Sequence, residues 1–308
     1  MPFAGAGRVL SVGIGGGGDV VGALATAEHA QTQGATAIVG GLTWERRPID
    51  PLPGARTLHE LTGIERLNDT VALATGDTRG PDDLHFAETH MAAHLGEKTV
   101  LVDPNPGPQA VAAGLADAAE KLGCDTIALV DVGGDVLAHG DEPGLASPLA
   151  DSILLASARH LARETNLRVV LAVFGAGCDG ELTIPEVLER ISEVAGRGGW
   201  IGTSGLTPRQ VARVEEAVKH VPTEASAMAL RCARGHTGRT AIRRGRRSVE
   251  LSPVAALTFY LDPLVAMATA AHLADAVVDA PTLRDANAIL HRLGVRSELD
   301  YELEAAKV

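Results

Sequence analysis

Aromatic residues are scarce in this chain: Phe, Trp and Tyr together make up 3% of 308 residues. A core of that composition is aliphatic and alanine-rich. There are only three cysteines, Cys124, Cys178 and Cys232, an odd number with no CxxC spacing. This excludes a disulfide framework and a zinc knuckle and implies a reducing, cytoplasmic setting. No secretory apolar segment opens the sequence. The most apolar late stretch, Leu264 to Ala280, carries His272, Asp275 and Asp279, so it reads as a buried or interfacial helix and not as a membrane span. Basic charge is also in deficit. The net charge is −12, which argues against general binding of nucleic acid. The exception is "RCARGHTGRTAIRRGRR", residues 231–247, with seven arginines and no acid out of 27 basic residues in all. So pure a cluster in an acidic chain needs internal acids, a subunit or an anionic substrate as its partner.

What is present is a soluble-protein balance, 45% hydrophobic and 21% charged, with 35 glycines gathered at turns. "RVLSVGIG" from Arg8, "ATAIVGG" from Ala35, "KTVLVD" to Asp103, "DTIALVD" to Asp131 and "LRVVLAVFG" to Gly175 are continuous aliphatic runs. Such runs suit strands covered on both faces, as in a parallel sheet. Between them apolar residues recur at helical spacing over 20–33, 83–95, 109–122, 149–164 and 184–195. Thr183 before Pro185 and Glu186, and Thr207 before Pro208, are helix-entry signals. The alternation predicts an α/β fold, a doubly wound, mostly parallel, Rossmann-like sheet with a helical C-terminal elaboration. One domain, 1–308, is expected, with a Rossmann-like core over 1–200 and a helical, basic part over 201–308. The alanine-rich late helix suggests either core or a homodimer interface.

In open parallel sheets ligands bind beyond the carboxyl ends of the strands. Those ends carry Gly15, Gly16, Gly17 and Gly18 with Asp19; Asp103 with Asn105; Asp131, Gly133, Gly134, Asp135, Asp141 and Glu142; and Cys178, Asp179 and Glu181. Gly13, Gly15 and Gly18 form a GxGxxG pattern, which would bring backbone N–H groups close to a phosphate at a helix N-terminus. The acid that a dinucleotide site wants after strand two is late, Glu45, beside Arg46 and Arg47. Two other readings stay open: a glycine turn with Asp19 as helix cap, or an anion or sugar site where Asp19 bonds hydroxyls or a metal. The glycines between Asp131 and Asp135 allow both carboxylates to turn toward one point, which suits Mg²⁺ bridging to phosphate. Asp141, Glu142 and Asp151 could add further carboxylates; these acids could instead cap turns, with Asp151 capping the next helix. Arg239 and Arg243 are the candidates for gripping the anion, against a solvated basic strip or a subunit contact. His90 and His94, at i, i+4 near Glu88, are a weaker metal candidate. Cys178 is either a nucleophile or a buried inert thiol.

The motifs "GIGGGGDVVGA", "WERRPIDPLPG" and "DVGGDVLAHGDEPGLASPLADS", with "IRRGRRSVELSP" and "FYLDP" later, make the chain similar to the domain of unknown function 1152 family of archaea and bacteria. The resemblance runs over most of the chain. It implies a Rossmann-like α/β fold and a small-molecule site, and it assigns no catalytic residue.

The residues together lead to an enzyme acting on a phosphorylated or nucleotide-like metabolite, by phosphoryl or glycosyl transfer or hydrolysis. Asp131 and Asp135 would hold Mg²⁺, and Asp19 would orient the reacting group. A non-catalytic nucleotide-binding regulator and an NAD-dependent oxidoreductase are the alternatives. All three require residues 15–19, 131–135 and 239–243 to meet at one crevice.

Overall fold

The computed structural model describes residues 1–307. In chain order the elements are β1 (Arg8–Gly13), α1 (Val20–Thr32), β2 (Thr36–Leu42), β3 (Thr62–Arg66), β4 (Val71–Arg79), α2 (Ala87–Leu95), β5 (Thr99–Val102), α3 (Gly107–Leu122), β6 (Thr126–Val132), α4 (Pro148–Glu164), β7 (Arg168–Phe174), α5 (Ile184–Gly196), β8 (Trp200–Gly205), α6 (Pro208–Val218), α7 (Ala225–Ala233), β9 (Gly238–Ile242), β10 (Arg247–Leu251), β11 (Leu257–Leu261), α8 (Pro263–Thr269), α9 (His272–Ala276), α10 (Leu283–Arg292) and α11 (Glu298–Ala305). The main sheet has nine strands in the order β3-β4-β5-β2-β1-β6-β7-β11-β8, and β9 and β10 form a separate hairpin. The five central strands, β5-β2-β1-β6-β7, pair in parallel. Both margins are antiparallel: β3 and β4 on one side, β11 and β8 on the other.

The continuous aliphatic runs are the parallel strands, and they are covered on both faces. In β6, Ile127 and Leu129 join the core under α3 and α4, while Ala128 and Val130 join the core on the other face with Ala23 and Ala30 of α1. The period-two alternation of a strand divides one apolar run between two cores. This is the expected doubly wound, Rossmann-like α/β fold. At the antiparallel margins only the first half of β4 and most of β11 are continuously buried. β8, "WIGTSG", is exposed or half-exposed throughout, which is why its sequence does not read as a buried strand. Two strands from beyond residue 199, β8 and β11, thus complete the main sheet.

Helix entries follow the residues that predict them. The hydroxyl of Thr183 caps α5 in a reciprocal box with Glu186, and Thr207 does the same for α6 with Gln210. The helix expected from residue 83 starts only at Ala87, because Asp82 and Asp83 take left-handed φ of 52° and 59° in the preceding turn. The expected helix over 264–280 is two short ones, α8 and α9. Ala266, Met267, Ala270, Ala271, Leu273 and Ala274 are buried in the core that α4 shares. Among the described residues no helix is long and apolar enough to cross a membrane.

In chain order the five parallel strands are β1, β2, β5, β6 and β7. The chain therefore builds outward from β1 through β2 to β5, then returns to lay β6 on the opposite side of β1. The connections after β1 and after β6 leave on opposite faces of the sheet, which opens a crevice between the two strand ends.

Candidate functional site

The glycine run after β1 is shaped first by the protein itself. Gly16 and Gly17 take φ of 76° and 54°, a region that favours glycine. A Cβ on Gly16 would lie 2.7 Å from the Trp44 carbonyl oxygen, and one on Gly18 would lie 2.3 Å from Thr223 Cβ. The segments after β2 and before α7 thus close onto the loop. At its end Asp19 turns its carboxylate back to accept the Gly15 N–H at 3.0 Å. That carboxylate stands at the start of α1, where a dinucleotide pyrophosphate would have to sit.

Five further acids converge on the same place. β6 carries Asp131 at its end, and Asp135 opens the turn after Gly133 and Gly134. Asp151 lies in the first turn of α4, and Asp179 and Glu181 lie in the loop after β7. Carboxylate oxygens of Asp19, Asp131 and Asp151 lie within 4.8 Å of one another, and so do those of Asp135, Asp179 and Glu181. Gly133 makes room for this: a Cβ there would come within 2.3 Å of Asp179 Cγ. Asp131 Oδ2, Asp151 Oδ1 and Asp179 Oδ1 are buried without a hydrogen-bond partner.

Crowding sets the charge states. Burial raises Asp19 to about 7, against the pull of the Gly15 N–H and Arg46. Burial, then repulsion from Asp19 and Asp179, pushes Asp131 well above the usual carboxylate range. Asp135 and Asp151 are pushed up in the same way, by burial and then by neighbouring acids. Burial and Glu181 raise Asp179 to about 7. Glu181 alone goes down: burial opposes its charge, but Arg247 and hydrogen bonds from Ser147 and the Ala146 N–H outweigh it.

Cations line the rim. Arg46 donates to the Gly15 carbonyl, pairs with Glu298 at 3.3 Å and lies 4.7 Å over the Trp44 ring. Arg247 reaches Glu181 at 3.0 Å and the Asp179 carbonyl at 3.3 Å. Arg243 and Arg244 occupy the β9–β10 turn at φ of 51° and 57°, where the Arg243 N–H is held by Glu224. With Gly15–Gly18 and the acids they enclose a cavity of about 930 Å³.

The structure therefore brings together Gly15, Gly16, Gly17, Gly18, Asp19, Asp131, Asp135, Asp179 and Arg243. It places other candidates elsewhere. Arg239 points along the hairpin, its guanidinium bonded to Ser248 Oγ at 2.9 and 2.7 Å, because strand alternation turns it away from the crevice. Asp103 and Asn105 bond each other, and Asn105 ties the loop after β5 to Ala55 and to the start of α10. Glu142 accepts the N–H groups of His139 and Gly140 and lies 3.5 Å from Arg190. Asp131 and Asp135, expected to share one ion, belong to adjacent groups of three.

His90 stacks on His85 and His94 on His220, and neither joins a metal-capable group of three among the described residues. Cys178 is buried, and the neighbouring Cys232 thiol together with that burial pushes its own thiol up.

One contributor, Arg247, escapes sequence reasoning, and Asp151, which the sequence offers either as a further carboxylate or as a helix cap, joins the cluster. Asp151 is not the cap of α4; Glu298, from α11, accepts the Leu149 and Ala150 N–H groups instead. Arg247, not Arg239, faces the acids. Glu45 does reach the crevice, but it is buried on the Ala87 N–H of α2 and raised to about 7 by that burial.

Comparison with curated proteins and with solved structures found no match. A family model described as a protein of unknown function, DUF1152, matches residues 10–306, and the chain belongs to that family.

Proposed function

We propose that the crevice binds a small phosphorylated or nucleotide-like metabolite together with a divalent cation, Mg²⁺, and that the protein is an enzyme of phosphoryl or glycosyl transfer or hydrolysis. One observation carries this reading. Asp19, Asp131 and Asp151, from three different elements, hold carboxylate oxygens within 4.8 Å of one another at the strand-order reversal, and two of those residues keep a buried oxygen without a partner. Three acids so placed repel one another in a poorly hydrated site. A hard divalent cation with oxygen ligands removes that repulsion and satisfies the free lone pairs.

The arginines supply the other half. Arg243 and Arg247 stand across the acids, and their planar forks match the paired oxygens of a phosphate. Cation and guanidinium groups together would stabilise charge that develops on a transferred group. The same geometry weakens the NAD reading, since the Asp19 carboxylate occupies the Gly15 N–H that a pyrophosphate would use.

The test is a thermal-shift screen of sugar phosphates and nucleoside phosphates with and without Mg²⁺, followed by a search for product with the compounds that stabilise. Asp131→Asn should keep the fold and lose at least about 100-fold in turnover, the scale of removing a principal charge-stabilising group. Full turnover in that variant, or no Mg²⁺-dependent stabilisation by any compound, overturns the reading.

A further inference from the structure

We propose that the crevice holds a second divalent-cation site, built from Asp135, Asp179 and Glu181 and contiguous with the first. The inference rests on the reading above and goes beyond it in number and position of ions. Three carboxylate oxygens from these residues lie within 4.8 Å of one another. Asp179 is 5% exposed, and its Oδ1 has no hydrogen-bond partner although its other oxygen accepts the Glu181 N–H at 3.2 Å. A buried acceptor left open inside a group of acids costs free energy that a cation would return.

The ligands are not equivalent. Glu181 is already engaged by Ser147, the Ala146 N–H and Arg247, so it forms the wall of the site and shares its oxygen with the ion. Asp135 and Asp179 have the free capacity. Asp131 belongs to the group with Asp19 and Asp151, and it is also close enough to Asp135 and Asp179 for their charges to act on it and its charge on Asp135. A carboxylate in that position bridges two ions. Sites of this kind hold their ions about 3.5–4 Å apart and clamp phosphoryl oxygens between them. Charge points the same way: six carboxylates gather at this corner, with Arg46, Arg243 and Arg247 among the cations that oppose them.

Mn²⁺ alone serves as probe, on the full chain, by equilibrium dialysis. Two ions per chain are expected for the wild type, one for Asp179→Asn and one for Asp19→Asn. Electron paramagnetic resonance of the wild type supplies a readout that needs no variant. One equivalent should give the six-line signal of an isolated ion, and two should give a broadened, spin-coupled signal. A single ion per chain overturns the second site and leaves the single-cation reading standing. No bound ion overturns both. Two ions that persist in Asp179→Asn, or that give no coupling in the wild type, overturn the assignment to these residues.

Discussion

Replacing Gly15 by alanine adds one methyl group at the mouth of the carboxylate cluster. The Gly15 backbone lies outside the left-handed region, so alanine meets no backbone strain there. Its Cβ would lie 2.6 Å from Asp19 Oδ2 and 3.3 Å from both Asp151 oxygens, where ordinary contact begins at 3.4 Å. Asp19 must yield, and with it the hydrogen bond from the Gly15 N–H at 3.0 Å. A hydrogen bond to a charged group contributes about 1.5–3 kcal/mol. The loss of unfolded-state freedom on going from glycine to alanine offsets about 0.4–1 kcal/mol of that. The cation-free variant should therefore be destabilised by only about 1–2 kcal/mol. The larger effect is on ligation. At a cation concentration of about 100 times Kd each occupied site adds about 2.7 kcal/mol. For a chain of this size each kcal/mol moves Tm by about 2 °C, so each site's gain reads as about 5 °C. Thermal unfolding in EDTA and in excess Mg²⁺ measures both quantities. The share contributed by the ion between Asp19 and Asp151 should vanish in Gly15→Ala, leaving only that of the Asp135–Asp179–Glu181 site. A variant that keeps the full wild-type increment would show that no cation lies between Asp19 and Asp151.

Two further outcomes follow from the same geometry. In EDTA, stability should fall as pH rises from about 4 toward 7. Asp19 and Asp179 titrate near 7 when folded and near the ordinary carboxylate value of about 3.9 when unfolded, so in that window the folded state binds more protons. Excess Mg²⁺ should flatten the dependence, because the cation competes with those protons. Urea midpoints for wild type and Asp179→Asn isolate the contribution of Asp179, and a wild type that gains stability relative to the variant over this window would contradict the sign. At the other end of the chain, Glu298→Ala strips the Leu149 and Ala150 N–H groups and Arg46 of their shared partner. Breaking such a buried pair should cost about 3–5 kcal/mol in urea unfolding, with Glu298→Gln intermediate. A neutral effect would show that α11 does not hold the start of α4.

Much of the site was legible in the order of residues. Glycine and aspartate at the ends of aliphatic runs marked residues 15–19, 131–135 and 179, because a parallel sheet delivers all its strand ends to one rim. The same logic overreached at Asp103, Asn105 and Glu142. They too follow strands or turns, but each finds a nearby backbone or side-chain partner, and nothing in their spacing tells such a residue from one left open. The basic segment was recognised as a partner for anions. Which of its arginines face the acids depends on the alternation of β9 and β10 and on the turn between them, so Arg239 lies along the hairpin while Arg243 and Arg247 reach the crevice.

Local patterning by itself determined the strand–helix alternation, the capped starts of α5 and α6 and the presence of a glycine-and-acid rim, since each depends on residues a few positions apart. Tertiary structure alone decided that β6 lies beside β1, that Asp151 joins Asp19 and Asp131, and that Glu298 from the last helix caps α4. These depend on pairings across tens to hundreds of residues, and the burial that leaves a carboxylate without a partner exists only once those distant segments have closed around it.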